Sequence, residues 1–187
     1  EVLQREIRVL QALIKLKNDG FLFDYSGWEI QLQRMREELC GLEKQIQCEL
    51  NALTMDIQSP ADIKAALLEN GISVISTSEE CLAVYEDQYP VIKKICKYKK
   101  LHKQIQTFGE KLKANIRKDG RIRSNWKLNG SNTGRMACTS PNLQGMPAKA
   151  KPYFHADKGN KLVIADYSQI ELSVMAPLST GNRLLEG

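Results

Sequence analysis

The chain has 187 residues with 27 Lys and Arg against 22 Asp and Glu, which gives a formal net charge of +5. With 42% hydrophobic and 26% charged residues, its composition is that of one ordinary folded domain or two small ones, and it excludes a fully disordered chain. No apolar run approaches the length of a membrane span, and the charged segment from Glu1 to Glu6 is not a signal peptide.

The five cysteines are odd in number and widely spaced, and no two of them form a C-x-x-C pair. Only His102 and His155 are available as further nitrogen ligands. This usage predicts reduced, mostly buried thiols in a cytoplasmic protein, without a zinc site.

Helical patterns fill the first half of the chain. Apolar residues at steps of three and four predict an amphipathic helix from Leu3 to Ile14 that ends at Asn18-Asp19-Gly20, because glycine is a natural C-terminal cap. A short extended link from Phe21 to Asp24 leads into a longer helix from about Ser26. The apolar seam of that helix predicts packing against a partner helix, and its residues are Leu32, Met35, Leu39, Leu42, Ile46, Leu50 and Leu53.

Two shorter helices follow, each with a start signal. Ser59-Pro60-Ala61-Asp62 combines a capping hydroxyl, a first-turn proline and an early acid, and that helix is predicted to end at Asn70-Gly71. Thr77-Ser78-Glu79-Glu80 is a capping box, and it predicts a helix that ends near Pro90.

A basic helix is predicted from Lys93 to Lys113, with lysines around an apolar stripe from Tyr98 to Leu112. The window from Pro90 to Gly130 holds ten Lys and three Arg against two acids, a net charge of +11. Such clustering is typical of a surface that binds a polyanion. A solvated lysine-rich helix face accounts for the charge equally well.

The pattern changes after Ile116. Asp119-Gly120 indicates a turn, with short strands predicted at 121–123 and 126–128. A long functional loop is expected over 129–152, then a buried strand from Lys161 to Ala165 and a short helix from Gln169 to Ala176. The predicted fold class is therefore α+β and mostly helical.

Asp166 stands where the apolar strand ends and the last helix is about to begin. A carboxylate held there can bind a hard divalent cation such as Mg²⁺. An acid that is simply favoured by the helix dipole is the structural alternative.

Three motifs together resemble the family A DNA polymerases, the group typified by bacterial DNA polymerase I. Asp-Tyr-Ser-Gln-Ile-Glu-Leu at 166–172 is similar to the family's first palm motif. Thr133-Gly134-Arg135 and the Pro-Asn-Leu-Gln run at 141–144 resemble two further signatures in the same order, and the helical N-terminal part resembles the thumb. The resemblance implies a helical thumb-like region over 1–115 and the start of an incomplete antiparallel palm over 116–187.

The resemblance also implies roles for the motif residues. Asp166 would be catalytic and, with Tyr167, would bind the Mg²⁺ ions of a two-metal site. Glu171 would exclude the ribose 2′-hydroxyl, or would form a capping box with Ser168, or both. A deoxynucleoside triphosphate would contact Tyr167, Ser168, Gln169, Ile170 and Glu171. Primer–template DNA would contact Arg135, Asn142, Gln144, Lys97, Lys100, Lys111, Lys113, Arg117, Lys118 and Arg121. A purely structural ion pair is the alternative for Arg135.

The chain departs from the family pattern in three places, one of which is the stretch from Ala148 to Phe154, which is shorter than usual and lacks the family's Ile-Arg pair. Ser173 stands where the family has Arg, and Pro177 falls where the family continues its helix. The family's fingers helix and second metal aspartate have no counterpart in the sequence. We therefore expect a fragment of a bacterial or bacteriophage DNA-directed DNA polymerase that binds duplex DNA and is inactive alone, with possible self-association through an exposed palm edge.

Two alternatives come from other classes of protein. The first is a non-catalytic basic helical module that binds DNA as an accessory factor. The second is a coiled-coil interaction protein built on the seam from Leu32 to Leu53, which leaves the Asp166 motif unexplained.

Overall fold

The computed structural model describes residues 2–178, except for the side chains at positions 2, 3, 5 and 6. The chain divides into two compact units, Glu1–His155 and Ala156–Gly187. The predicted α+β, mostly helical class is confirmed. The predicted boundary between thumb-like and palm-like regions, at 115/116, stays a prediction.

Helices dominate the first unit as far as Lys113, and short strands and 3-10 turns follow them. Its helices are α1 (Val2–Asp19), α2 (Tyr25–Glu49), α3 (Pro60–Glu69), α4 (Glu79–Ala83), α5 (Pro90–Phe108) and α6 (Glu110–Lys113). Its strands are β1 (Phe21–Phe23), β2 (Arg121–Ile122), β3 (Asn125–Lys127), β4 (Ala137–Thr139) and β5 (Phe154–His155), and its 3-10 helices are Leu143–Gly145 and Ala148–Tyr153.

Helix α1 ends as the sequence predicts. Gly20 has φ +64°, and its amide donates to the Leu16 carbonyl at 2.9 Å. A side chain at position 20 would also collide with the Ile122 carbonyl oxygen, 2.5 Å from an added Cβ. Both the left-handed backbone and the close approach therefore require glycine.

The core lies between α2 and α5. Trp28, Leu32 and Met35 of α2 are fully buried, and Ile92 and Ile95 of α5 are buried with them. The predicted partner helix is thus α5 of the same chain, which removes the main reason for a coiled-coil interaction protein.

Leu53, the last residue of the predicted seam, is instead exposed. Helix α2 ends at Glu49, so the helical spacing that aligned Leu53 with the seam no longer applies.

Caps predicted from sequence are present at both shorter helices. The Ser59 hydroxyl accepts from the Asp62 amide at 3.3 Å, and Pro60 occupies the first turn of α3. At α4 the cap is Ser78, which accepts from the Cys81 amide at 3.4 Å. The predicted reciprocal box is not formed, because its third helical position holds a cysteine rather than an acid.

The predicted continuous helix from Lys93 to Lys113 is wrong. Helix α5 ends at Phe108, and Gly109 leaves the helical region with φ −84° and ψ −120°. The indole of Trp28 donates to the freed Phe108 carbonyl at 2.8 Å, in a buried hydrogen bond. Trp28 therefore satisfies the Phe108 carbonyl at the end of α5, and the chain becomes helical again in α6.

Two small antiparallel sheets complete the first unit. Strand β1, predicted only as an extended link, is the centre of the order β2-β1-β5. Strands β3 and β4 form a separate pair with Trp126 opposite Cys138. The predicted turn is present, with the Gly120 amide donating to the Arg117 carbonyl at 2.9 Å.

The second unit differs from its prediction. Residues 161–165 form no strand, and Val163 and Ile164 are more than 80% exposed. A strand needs hydrogen-bonding neighbours, and no described segment of the chain pairs with this one. Helix α7 (Ile170–Met175) follows and gives way to a 3-10 turn, Ala176–Leu178, at Pro177, as that proline predicts.

The cysteine prediction is half right. All five thiols are free, but only Cys96 and Cys138 are buried, whereas Cys40 and Cys48 lie on exposed positions of α2. Among residues 2–178, no helix is both long enough and apolar enough to cross a membrane.

Candidate nucleic-acid interface

One face of α2 neutralises part of the basic charge of α5 and α6. The Lys97 ammonium lies 2.7 Å from the Glu38 carboxylate, and Lys113 lies 3.6 Å from Glu29. The hydrogen bond from Lys97 holds the pKa of Glu38 below its usual value. Lys97 and Lys113, both predicted to contact DNA, therefore also serve as ion-pair partners within the unit.

Other lysines of α5 line an open groove of about 620 Å³. Lys100 and Lys103 are exposed, lie one helical turn apart and are both on its wall. Asn142 and Gly145, from the Pro-Asn-Leu-Gln segment, form another part of the lining. The groove thus brings the predicted basic helix and a predicted polymerase signature together within one unit.

Lys99 also lines the groove and links α5 to the segment before α4. Its ammonium donates to the Thr77 carbonyl at 2.5 Å, just before α4. Burial lowers the pKa of Lys99, and the same hydrogen bond ties the N-terminal end of α4 to α5. The lining also contains one carboxylate, Glu79, so the excess charge of the groove is positive.

Sequence reasoning missed part of this groove. Gln104 and Thr107 line it one helical turn beyond Lys100 and Lys103, and the segment Thr77–Glu79 faces them. The i, i+3, i+4, i+7 spacing of 100, 103, 104 and 107 marks one face of a helix and would have identified the α5 contribution.

The side chains of Asn142 and Gln144 bond mainly to backbone groups of neighbouring residues in the chain. The side-chain oxygen Oδ1 of Asn142 accepts from the backbone amides of Gln144 and Gly145, at 3.1 and 3.3 Å. The Gln144 side chain accepts from the Cys138 amide of β4 and donates to the carbonyl of Met136, the residue just before β4.

Arg135 lies in the loop that joins β3 to β4, and its side chain is exposed. The backbone around it is fixed: its amide donates to the Ser131 hydroxyl at 3.1 Å, and its carbonyl accepts from the Gly130 amide at 3.1 Å. The preceding Gly134 has φ +75°, a conformation that favours glycine in this motif.

The predicted basic turn lies at the C-terminal end of α1. Arg121 approaches the carbonyls of Asp19 and Gly20 at 3.4 Å, so it has an evident role in holding that helix end. Arg117 lines a second cavity of about 480 Å³, together with Lys17 of α1. Lys111 and Lys118 are exposed.

Arg123 also holds the end of α1, a role that was not predicted from the sequence. Its guanidinium donates to the Asn18 carbonyl at 2.7 Å and to both oxygens of Asp119, at 2.6 and 3.1 Å. This hydrogen-bonded pair lowers the pKa of Asp119 to about 2.

The Asp166 motif lies in the second unit. Asp166, Tyr167 and Ser168 are exposed, and α7 begins after Gln169, whose φ of +47° and ψ of +41° are left-handed. Gln169 is the cap residue of α7 and its side chain makes no capping hydrogen bond, while the predicted capping box of Ser168 and Glu171 stays a prediction.

In the part of the chain that the structure describes, no set of ligands is assembled around the Asp166 carboxylate. Within residues 2–178, no three His, Cys, Asp or Glu side chains come together as a metal site. The described residues therefore do not fit a two-metal centre, since such a centre needs further oxygen ligands.

The fold and the motifs indicate a family A DNA polymerase, and the comparisons with known proteins agree with this class. The fold matches the POL domain of Pol1 from M. smegmatis, solved in complex with DNA primer-template and dNTP, with a TM-score of 0.78 and 22% sequence identity. The match covers 97% of this chain and 35% of that chain.

The family follows from the sequence match. The model of DNA polymerase family A matches residues 27–187, and the chain belongs to that family. It is 30% identical to DNA polymerase I of Pseudomonas aeruginosa and 31% identical to that of Helicobacter pylori, over 97% and 98% of this chain. The chain spans 22% of the length of each of these relatives.

Proposed function

We propose that the chain is part of a DNA-directed DNA polymerase and that its first unit binds primer–template duplex through the groove between α5 and the Pro-Asn-Leu-Gln turn. The single observation that carries the proposal is that Lys100 and Lys103 share this groove with Asn142 and Gly145. A lysine row with polar groups opposite matches a nucleic-acid backbone, where phosphate contacts provide affinity and orientation but no sequence choice.

The ion pairs divide the predicted DNA contacts into two groups. Lys100 and Lys103 meet the groove directly, whereas Lys97 and Lys113 hold acids of α2. A paired lysine releases fewer counterions when it meets phosphate, since its charge is already partly balanced. We therefore assign the larger share of duplex binding to the groove lysines.

Salt dependence tests this assignment. The chain should bind a primer–template duplex with about micromolar or weaker affinity, and the affinity should fall steeply as salt rises. Replacing Lys100 and Lys103 by alanine should reduce the slope of log K against log salt by about 1.8, since each lost B-DNA phosphate contact removes about 0.9. Fluorescence anisotropy of a labelled duplex measures both quantities.

A matched variant controls for net charge. Lys44 and Lys64 are exposed on α2 and α3, and alanine at both positions removes the same charge without touching the groove. Equal slopes for the two double variants would contradict the groove assignment. If the affinity of the unaltered chain for the duplex did not change with salt, the proposed binding through phosphates would be contradicted.

For catalysis we propose that Asp166 and the Tyr167 backbone contribute ligands to a Mg²⁺ site that is completed by other parts of the parent polymerase. A metal ion held there would supply Lewis-acid chemistry for nucleotidyl transfer. The segment from Tyr167 to Glu171 would line the deoxynucleoside triphosphate. The described residues do not assemble this site by themselves, so its remaining ligands would come from other parts of the parent polymerase.

A primer-extension assay tests the catalytic proposal. The chain alone, with Mg²⁺ and all four deoxynucleoside triphosphates, should add no nucleotide. Extension that is lost on Asp166→Asn would show that the chain is active alone and would overturn this part of the proposal. A cytoplasmic setting and self-association through residues 161–165 remain predictions.

A second candidate function is a non-catalytic DNA-binding accessory module. The exposed, unpaired segment 161–165 favours it, since a palm strand without a sheet offers no rigid support for Asp166. The same extension assay separates the two candidates when the parent polymerase carries Asp166→Asn: loss of its activity supports the polymerase role of this segment, and retained activity supports the accessory role.

A further inference from the structure

The side chain of Gln144 makes two hydrogen bonds to the backbone of β4 and of Met136, the residue just before it. Its carbonyl oxygen accepts from the Cys138 amide at 3.2 Å, and its amide nitrogen donates to the Met136 carbonyl at 3.0 Å. Residues two apart in a strand present their backbone groups at the same edge, so both bonds lie along one edge of β4.

The opposite edge of β4 belongs to β3. Ala137 is paired with Lys127, and Thr139 is paired with Asn125. A carboxamide carries one acceptor and a donor group, as a peptide group does. The Gln144 side chain therefore stands where the next strand's peptide would lie, and it covers an edge that would otherwise be exposed.

Asn142 fixes the turn from which Gln144 reaches β4. Its side-chain oxygen accepts from the amides of Gln144 and Gly145, and the Cys138 thiol donates to the same oxygen at 3.4 Å. Cys138 is 3% exposed, whereas Asn142 and Gln144 are exposed, so only the Cys138 end of this junction is buried. The turn and β4 are thus joined through Cys138 by both its thiol and its amide.

Gln144 bonds to Met136, where the loop that contains Arg135 ends and β4 is about to begin. Met136 follows Arg135 directly, and the Ser131 hydroxyl holds the Arg135 amide from the other side. We propose that Gln144 is a positioning residue. Its side chain bonds to the backbone of Met136 and β4 rather than to DNA, and these bonds hold the neighbouring Arg135 in position to contact DNA. The DNA part of this inference rests on the proposed function.

Free protein provides the first test. Gln144→Met keeps the side-chain length and removes both bonds, so hydrogen exchange at the Cys138 amide should accelerate about tenfold without DNA. Gln45→Met, at an exposed position of α2, should leave that amide unchanged. A residue that only contacts DNA would not protect Cys138 in the free protein, so unchanged exchange in Gln144→Met would overturn the proposal.

A double-mutant cycle provides the second test. Gln144→Met should weaken binding of a primer–template duplex about tenfold when Arg135 is present and less than twofold in an Arg135→Ala background. Equal losses in both backgrounds would show direct DNA contact by Gln144 and would contradict positioning. If the unaltered chain binds no duplex, the proposed function fails, while the exchange result still decides the hydrogen-bonding role.

A glutamate at the same position gives a pH signature. Gln144→Glu keeps the acceptor for Cys138 but places a carboxylate against the Met136 carbonyl, which raises its pKa in the folded protein. Protonation restores the donor, so the ratio of Cys138 exchange rates, variant over unaltered chain, should fall as pH drops from about 8 to about 5. A ratio that stays constant with pH would contradict the bond to Met136.

Discussion

Replacing Trp28 by phenylalanine tests how the helical unit is held together. Trp28 is fully buried, and its ring meets Tyr153 at 5.6 Å and Phe23 at 6.4 Å between centroids. Its indole nitrogen is the hydrogen-bond donor to the Phe108 carbonyl at 2.8 Å. Phenylalanine keeps an aromatic ring in the core but removes this donor at the end of α5.

The expected loss of stability has two parts. A buried carbonyl left without its donor costs about 1–3 kcal/mol. The smaller ring leaves roughly 40 Å³ unfilled, which costs about 1 kcal/mol at about 24 cal/mol per Å³. The Trp28→Phe variant should therefore lose about 2–4 kcal/mol of unfolding free energy, as measured by urea titration followed by far-ultraviolet circular dichroism.

Trp126 offers a matched control. Its indole nitrogen is buried and finds no hydrogen-bond partner among residues 2–178. Trp126→Phe removes a donor that makes no bond, so its cost should stay below about 1 kcal/mol. A Trp28→Phe variant that unfolds at the same urea concentration as Trp126→Phe would refute the role given to the Phe108 hydrogen bond.

Two further predictions concern titratable groups. The pKa of Asp119 is lowered to about 2 by its hydrogen bonds from Arg123, so the pair stabilises the fold above the usual carboxyl pKa of 3.8. That stabilisation should disappear as pH falls from about 4 towards 2, and thermal unfolding of Asp119→Asn should lack this part of the pH dependence. Burial raises the pKa of the Cys96 thiol to about 12, so an alkylating reagent at pH 8 should modify exposed Cys40 well before Cys96 in the folded chain. Mass spectrometry of the digested protein measures this order, and equal rates would contradict the burial of Cys96.

Local signals were the part of the fold that could be predicted. The cap at Ser59, the glycine end of α1 and the turn at Gly120 each depend on a few adjacent residues, and all three are present. The helix break at Gly109 was missed because its cause is not local. The Phe108 carbonyl is held by Trp28, which is 80 residues away in the chain.

The palm strand shows the same limit. Residues 161–165 have the apolar composition of a buried strand, but strand formation depends on neighbours that no local pattern supplies. The roles of Lys97 and Gln144 were also beyond the sequence. Charge alone does not show that Lys97 meets Glu38, and the motif alone does not show that Gln144 bonds to β4.

The central claim is that duplex DNA occupies the groove between α5 and the Pro-Asn-Leu-Gln turn. Amide chemical shifts recorded while a primer–template duplex is added test it most directly. The largest changes should fall on Lys100, Lys103 and Gly145, which line the groove, while Lys44 and Lys64 stay unchanged. Changes confined to α2 and α3, with the groove amides unmoved, would contradict the claim.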